Sequence, residues 1–458
     1  MLLFSSSYFV FLIAIFFVYW PVVRFRAASL ALLLFANYFF YLKWDIAYLV
    51  LIPAASTCDF LIGLGLEQST RPRVRRVLIT LSVLLNVGIL AAFKYLAQAM
   101  PNWHWTLPLG ISFYTFQALS YTLDVYRRDA KATPSLLAYL SAVAFFPTTL
   151  AGPITRVSQL LPQLERKDKA LTPSQSGKAF FLIGLGLAKK LLIADYLADN
   201  LVNRIFDVPK LYSGFEVLTG VYGYALQLYY DFSGYSDIAI GSALLLGFSL
   251  PVNFNMPYAA ESIADFWRRW HISLSNWLRD YLYFSLPGLR SKYKIFTYGN
   301  LVITMLLGGL WHGASWTFVI WGLLHGIGLA VTRAIQVYRG NPTPIASPWA
   351  RALRILITAQ FVCFAWIFFR APSLEAALVI LRQIGSLTFS TANISGPVAL
   401  VLVLALVLHY VPKGLYQRAL QVYVDAPALV QAAAMASLLL GIQHVAGTGS
   451  APFIYTKF

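Results

Sequence analysis

The stretch "FSSSYFVFLIAIFFVYW" (residues 4–20) contains no charged residue and is about as long as the ~17–25 residues a helix needs to cross a bilayer. No basic segment precedes it and no small-residue cleavage site comes before Arg24, so it reads as a retained span with its N-terminus outside, not as a removable leader. Runs of the same kind recur almost to the end of the chain. Of 458 residues, 59% are hydrophobic and 12% charged, and the mean hydropathy is +0.66. The expectation is an all-α polytopic membrane protein with no large soluble domain, because only helices or closed barrels satisfy the backbone inside lipid. Segments near 6–23, 28–42, 46–66, 77–97 and 107–125 are followed by others near 178–197, 215–229, 235–250, 296–311, 314–335, 354–370, 397–411 and 428–446. These predict roughly ten to thirteen spans.

Thirty-five Lys and Arg against 18 Asp and Glu give a formal charge of +17, which in a soluble chain would suggest nucleic acid. Here the basic residues cluster in short loops: Arg24 and Arg26, "RPRVRR" (71–76) and "RRDAK" (127–131). All three fall on the cytoplasmic side if the N-terminus is outside, as the positive-inside rule demands. The aromatic "MPNWHWT" (100–106) then falls outside. With no basic domain standing free of the membrane, no nucleic-acid partner is expected; membrane lipid is the natural neighbour. Cys58 and Cys363 each sit within apolar sequence, which indicates neither a disulfide framework nor a cysteine metal site.

Polar residues within apolar sequence are the candidates for function. "FFPTTLAGPITR" (145–156) places Pro147, Gly152 and Pro153 in a run too short to span comfortably, and reads either as a re-entrant segment beside a cavity or as a kinked helix. In "LQLYYDFSGYSDIAIG" (226–241), Asp231, Ser233 and Asp237 surround Gly234; this break lines a hydrophilic path or is a helix turn capped by an aspartate. In "DFWRRWHISLSNWLRDYLY" (265–283), helical spacing puts the tryptophans on one side and Arg268, Arg269 and Arg279 on the other. The pattern predicts an amphipathic helix at the membrane surface, its arginines serving head groups or a phosphorylated donor. His271 lies at the seam of the two faces.

In "LLGGLWHGASW" (306–316), Gly308, Gly309 and Gly313 flank Trp311 and His312. Such small residues admit a backbone or a slender ligand, and a neutral imidazole can take a proton from a hydroxyl nucleophile; a packing histidine is the other reading. His325 competes, but along one continuous helix it would stand ~20 Å from His312.

Together with "LPLGISFYTFQALSYTLDVYRRD" (107–129), "NFNMPY" (253–258), "CFAWIFFRA" (363–371) and "PFIYTKF" (452–458), these motifs resemble the membrane-bound O-acyltransferase (MBOAT) superfamily. The likeness is to its bacterial branch of alginate O-acetylation, cellulose O-acetylation and D-alanyl transfer proteins. It covers nearly the whole chain and implies one transmembrane domain, residues 1–458, with core motifs in 107–371. The implied fold is a ring of tilted helices around a thinned centre, with re-entrant and interfacial helices. His312 matches the superfamily's catalytic histidine and His271 a second histidine of the same region. After "DYLY", where relatives commonly continue "IPLGG", this chain reads "FSLPGLRSKYK" (284–294).

The resemblance implies acetyl-CoA as donor substrate, no bound cofactor and no metal. Trp311, Asp231, Ser233, Asp237, Arg268, Arg269 and Arg279 are the candidate substrate-binding residues, with Arg290 and Lys292 adding to the basic face. The implied acceptor is an exported polysaccharide or a periplasmic acetyltransferase that relays the group, with a polysaccharide synthase complex as a further partner. The implied location is the bacterial inner membrane. A D-alanyl carrier donor, an acyl transporter and a non-catalytic scaffold are the alternatives.

Overall fold

The structure, a computed structural model, describes residues 2–42, 48–96, 110–166, 169–288, 291, 293–340 and 347–445; the segments 100–106 and 452–458, and Arg290 and Lys292, lie outside these. The described residues are helical with no strand. The first five helices are α1 (Ser6–Val22), α2 (Arg26–Leu42), α3 (Tyr48–Gln68), α4 (Pro72–Ala91) and α5 (Ile111–Arg127). They fall close to the five segments expected from hydropathy. Next come α6 (Leu136–Val143), the single turn α7 (Phe146–Thr149), α8 (Val157–Glu165) and α9 (Pro173–Leu187). Beyond α9 the chain runs through π-helical turns at Ala188–Ala194 and Ala198–Val202.

The second half comprises α10 (Gly214–Leu245), the short α11 (Ile263–Trp267) and α12 (Ile272–Trp277), α13 (Ile295–His312), α14 (Trp316–Arg339) and α15 (Pro348–Arg370). Last come α16 (Leu374–Gly385), α17 (Gly396–His409), α18 (Lys413–Asp425) and α19 (Ala428–Val445).

Among the described residues five helices are long and apolar enough to cross a membrane, and a sixth crossing results if α17 and α18, bent by 93°, count as one span. Four shorter apolar segments, those of α1, α2, α6–α7 and α19, add to these. Large apolar side chains on the outside, such as Phe17 on α1 and Leu84 on α4, are the surface such a chain offers to lipid. Starts follow local chemistry: the side chains of Ser5, Ser135, Ser315, Ser347 and Ser373 each accept from a backbone N–H in the first turn of the helix that follows, supplying a partner the helix itself lacks.

Packing divides the chain into two compact units, residues 1–185 with 235–251 and 423–425, and residues 186–234 with 252–422 and 426–458. Within the first unit, the basic clusters are drawn together. The buried Arg75 guanidinium donates to the carbonyls of Leu66 and Ser69, at the end of α3, and of Val125 and Tyr126, at the end of α5. Ala132 N–H donates to Glu67, and Glu165 accepts from both Arg26 and Thr133. The clusters at 24–26, 71–76 and 127–131 therefore share one end of this unit, as the positive-inside reading requires.

The 145–156 motif is a true break and not a kinked helix. After the α7 turn the backbone is non-helical from residue 153 to 156 and largely buried. Side chains supply what the helix ladder cannot: Asn37 accepts from Phe146 N–H and donates to the Ser141 carbonyl, and Thr149 Oγ1 donates to the carbonyls of Ala144 and Phe145. Ser120 Oγ accepts from Val157 N–H. This is the satisfaction that irregular backbone needs at membrane depth.

Candidate active site

His312 is the last residue of α13, and the chain turns through Gly313–Ser315 into α14. The glycines work as contacts between backbones. A Cβ on Gly309 would lie 2.3 Å from the Phe318 carbonyl oxygen, and one on Gly322 2.5 Å from that of Met305. α13 and α14 thus pack as a close hairpin, which only small residues at the crossing permit. The imidazole is 4% exposed and boxed by rings: Trp311 at 4.7 Å, Phe369 at 5.0 Å, Trp321 at 5.2 Å and Phe318 at 6.2 Å between centroids.

The hairpin corrects the expected separation of His312 and His325. They are not thirteen residues apart on one helix; a turn intervenes, and the two rings contact the same indole, His325 lying 5.0 Å from Trp321. Their centroids are therefore at most the sum of two ring contacts apart. His325 is fully buried. Its Nδ1 accepts from Trp267 Nε1 at 3.3 Å, which puts the proton of a neutral ring on Nε2.

His271 stands elsewhere in the second unit, which also holds His312. Its backbone is left-handed, φ 41°, and it splits the predicted amphipathic helix into α11 and α12. The continuous helix expected over 265–283 is not formed, and its tryptophan side does not face lipid. Trp267, Trp270 and Trp277 are buried, with Trp270 stacked on Phe266 and 5.1 Å from Trp366. The cost of the left-handed turn is offset by anchoring. Ile272 N–H donates to the Asn253 carbonyl, and Asn255 N–H to that of Arg269. Asn253 Oδ1 accepts from Ser273 N–H and Ser273 Oγ, which identifies that atom as the acceptor. His271 Nδ1, 3.1 Å away, is then the donor, and Nε2 of the neutral ring carries the lone pair. The ring rests edge-on against Phe232 at 4.7 Å. Gly308, four residues before His312, faces Leu278, so the element that begins at His271 packs on α13.

The remaining candidates separate. Trp311 lies beside His312 and is buried. Asp231, Ser233 and Asp237 lie within α10, which is unbroken from Gly214 to Leu245; there is no polar break in the helix, and neither aspartate caps one. Gly234 is there because a Cβ would lie 2.7 Å from the Gly186 carbonyl oxygen. Asp231 is an ion-pair partner: Lys190 Nζ is 2.8 Å from both Asp231 and Asp195, all three side chains being largely buried. Sequence reading passed over Lys190 and Asp195, although a "KK" followed by an aspartate within apolar sequence was the available signal. Ser233 is buried and Asp237 partly so. Of the arginines, Arg269 pairs with Asp265 at 3.0 Å and Arg279 with Asp280 at 2.7 Å, while Arg268, 3.5 Å from Asp265, keeps 66% of its side chain exposed. Local carboxylates already balance this face in part.

A cavity of about 280 Å³ adjoins the histidine box. Tyr224, Gln227, Ser315, Thr317 and Arg370 contribute its polar lining, and Phe318 and Phe369, the rings against His312, form an apolar wall.

The sequence pattern of the membrane-bound O-acyltransferase family matches residues 74–376, which contain the histidine hairpin, the His271 turn and the 145–156 break. The chain belongs to the membrane-bound O-acyltransferase family. A probable alginate O-acetylase, AlgI, of Azotobacter vinelandii is 40% identical over 395 residues, covering 82% of this chain and 76% of the relative. A peptidoglycan O-acetyltransferase of Helicobacter pylori is 37% identical, with 76% and 72% covered. A teichoic acid D-alanyltransferase of Streptococcus thermophilus is 30% identical, with 57% and 68% covered. The protein is a membrane-bound O-acyltransferase.

Proposed function

We propose that this acyltransferase takes an acetyl group from acetyl-CoA at the cytoplasmic face of the inner membrane and transfers it toward an exported polysaccharide. The acceptor is the polymer or a periplasmic acetyltransferase that relays the group, within reach of the polysaccharide synthase. The placement of His312 carries this reading: an imidazole enclosed by four aromatic rings at the end of a tightly packed hairpin, next to a polar cavity.

In the proposed reaction His312 takes the proton of the acceptor hydroxyl as its oxygen attacks the acetyl carbonyl. The carbon–sulfur bond then breaks, the thiolate leaves, and the imidazolium returns the proton to sulfur. One ester forms, one thioester is lost and no redox partner is consumed. Fixed orientation in a water-poor site supplies much of the acceleration. Arg268, Arg269 and Arg279 are proposed to draw the donor's phosphates to the cytoplasmic entrance, and Trp311 to hold the imidazole's orientation. His271, its lone pair on Nε2, is proposed to serve the same reaction from the donor side.

The D-alanyltransferase relative supports a second reading, in which the donor is a carrier-protein thioester. Purified protein in liposomes, offered labelled acetyl-CoA or an acylated carrier, separates the two. His312→Gln tests the common core: turnover with the preferred donor should fall ~10²–10⁴-fold while donor binding persists. Near-parental turnover by that variant would leave His312 a packing residue.

A further inference from the structure

We propose that the groove at the basic end of α1 is a specific site for one phospholipid with an anionic head group. Its phosphate is held between Arg24 and Lys169, and the upper part of a chain lies against Phe16 and Trp20. The site is contained in the first unit and stands whatever the acyl donor and acceptor are.

The first observation is a pair of cations without acidic partners. Arg24 and Lys169 line an open groove of about 690 Å³. The Arg24 guanidinium lies 4.9 Å from the centre of the Phe25 ring. Lys169 Nζ donates to the Tyr19 hydroxyl at 3.1 Å and to the Leu164 carbonyl at 3.3 Å, and stands 4.6 Å from the centre of the Phe248 ring. All these neighbours are neutral. Among the described residues no carboxylate pairs with either cation, whereas Arg26, two positions beyond Arg24, has Glu165 at 3.1 Å. Burial pushes the Lys169 ammonium down to about 8, as expected of a cation that has given up water without gaining an opposite charge. A phosphodiester between the two side chains supplies that charge, and guanidinium and ammonium both bind phosphate.

The second observation is the apolar wall that leads to these cations. Phe16, Trp20 and Arg24 follow one another at intervals of four along α1 and the turn that ends it, so they share one face. The Phe16 and Trp20 rings meet edge-on at 6.4 Å, and both are only partly buried. Trp20 is held in place before any ligand arrives: its Nε1 donates to the Leu245 carbonyl at 3.1 Å, and the left-handed Gly247, φ 79°, passes so near that an added Cβ would stand 3.5 Å from the ring. An indole with its N–H satisfied and part of its ring open suits the level where acyl chain meets head group.

The third is continuity with the lipid-facing surface. Ile13 and Phe17, beside this wall on α1, are 55% and 69% exposed, so a chain that starts in the groove can continue over them. A soluble phosphate compound would use the two cations and leave the aromatic wall uncovered. A zwitterionic lipid would cover the wall but bring its own cation to Arg24 and Lys169. An anionic phospholipid uses both.

The test uses the full chain in a neutral detergent with a trace of photoactivatable phosphatidylglycerol, and adducts on α1 are quantified by mass spectrometry. Unlabelled phosphatidylglycerol, phosphatidylcholine with the same chains, and inorganic phosphate are the competitors. Each basic side chain near an anionic head group contributes about a 5-fold gain, so phosphatidylglycerol should compete roughly 30-fold better than phosphatidylcholine for two such side chains. Combining Arg24→Gln with Lys169→Gln should bring the two lipids to within a few-fold of each other, while Arg166→Gln, in the same loop but not lining the groove, should leave the preference as it was. Equal competition by the two lipids in the parent, a comparison that needs no variant, overturns the proposal. So do competition by inorganic phosphate as strong as by phosphatidylglycerol, which would make this a free-anion site, the absence of adducts on α1, and a parental preference in the double variant.

Discussion

Gly309→Ala is the sharpest probe of whether catalysis depends on the α13–α14 hairpin. The added Cβ would sit 2.3 Å from the Phe318 carbonyl oxygen and 3.2 Å from the Gly322 Cα, both backbone atoms, which cannot rotate away as a side chain would. Restoring an ordinary contact of 3.4 Å requires the two helices to separate by about 1 Å. Overpacking of this kind typically costs ~1–3 kcal/mol, enough to lower thermal stability without abolishing insertion. His312 follows on the same last turn of α13, and a misplacement of about 1 Å can cost ~10² in rate. Gly308→Ala is the matched control. Its Cβ would meet only Leu278 Cδ1 at 3.5 Å, ordinary van der Waals contact, and alanine gains up to ~1 kcal/mol over glycine in a helix. Acetyl transfer by proteoliposomes, alongside fluorescence-detected melting, reads both variants. Parental turnover by Gly309→Ala would refute the reasoning, since a hairpin that yields so easily cannot be what positions the imidazole.

Two further predictions concern charge. Lys190→Met strands Asp195 and Asp231 without their shared cation and should destabilise by ~3–5 kcal/mol, as breaking a buried ion pair does; adding Asp195→Asn and Asp231→Asn should recover most of the loss in a detergent melting series, and failure to recover would mean that packing of the lysine stem matters more than its charge. Cysteines at Arg73 and Arg128, at the end of the first unit where Arg75 joins α3 to α5, should resist an impermeant thiol reagent in intact cells. Labelling of both would invert the membrane orientation.

How much was legible depends on range. Hydropathy is a local signal, and α1 to α5 fall close to where apolar runs placed them. The family motifs are local too, and they pointed to His312. What escaped was set by partners distant in sequence. Nothing in "DFWRRWHISLSNWLRDYLY" says that its tryptophans will be covered by Trp366 and Trp321 and not by lipid, or that Asn253 will hold His271 in a left-handed turn. The pattern of an amphipathic helix is the same whether protein or membrane covers its apolar side. Gly234 misled for a related reason: in sequence a glycine between aspartates reads as a break, while in the structure it is a contact with Gly186 inside an unbroken helix. Lys190 was missed because the apolar run 178–197 around it reads as one more span, and only the fold reveals the two aspartates that meet the lysine.

The same distinction bears on the two histidines. Both His312 and His325 lie against Trp321, both are buried, and both are framed by aromatic rings, so burial and neighbours alone do not choose between them. Position in the hairpin does. His325 lies within α14, where Trp267 donates to its Nδ1 and Phe266 stacks on its ring, and neither of these residues lines the cavity. His312 lies where α13 ends, with Phe318 and Phe369 between it and the polar cavity. A helix end frees the side chain from one flank of helical neighbours, and the turn that follows brings Ser315 and Thr317 to the cavity rim. At either histidine an acyl group and a hydroxyl must displace packed rings first, but at His312 two of those rings, Phe318 and Phe369, are the cavity's own wall. That geometry favours His312 as the base and His325 as the ring that fixes Trp321 behind it.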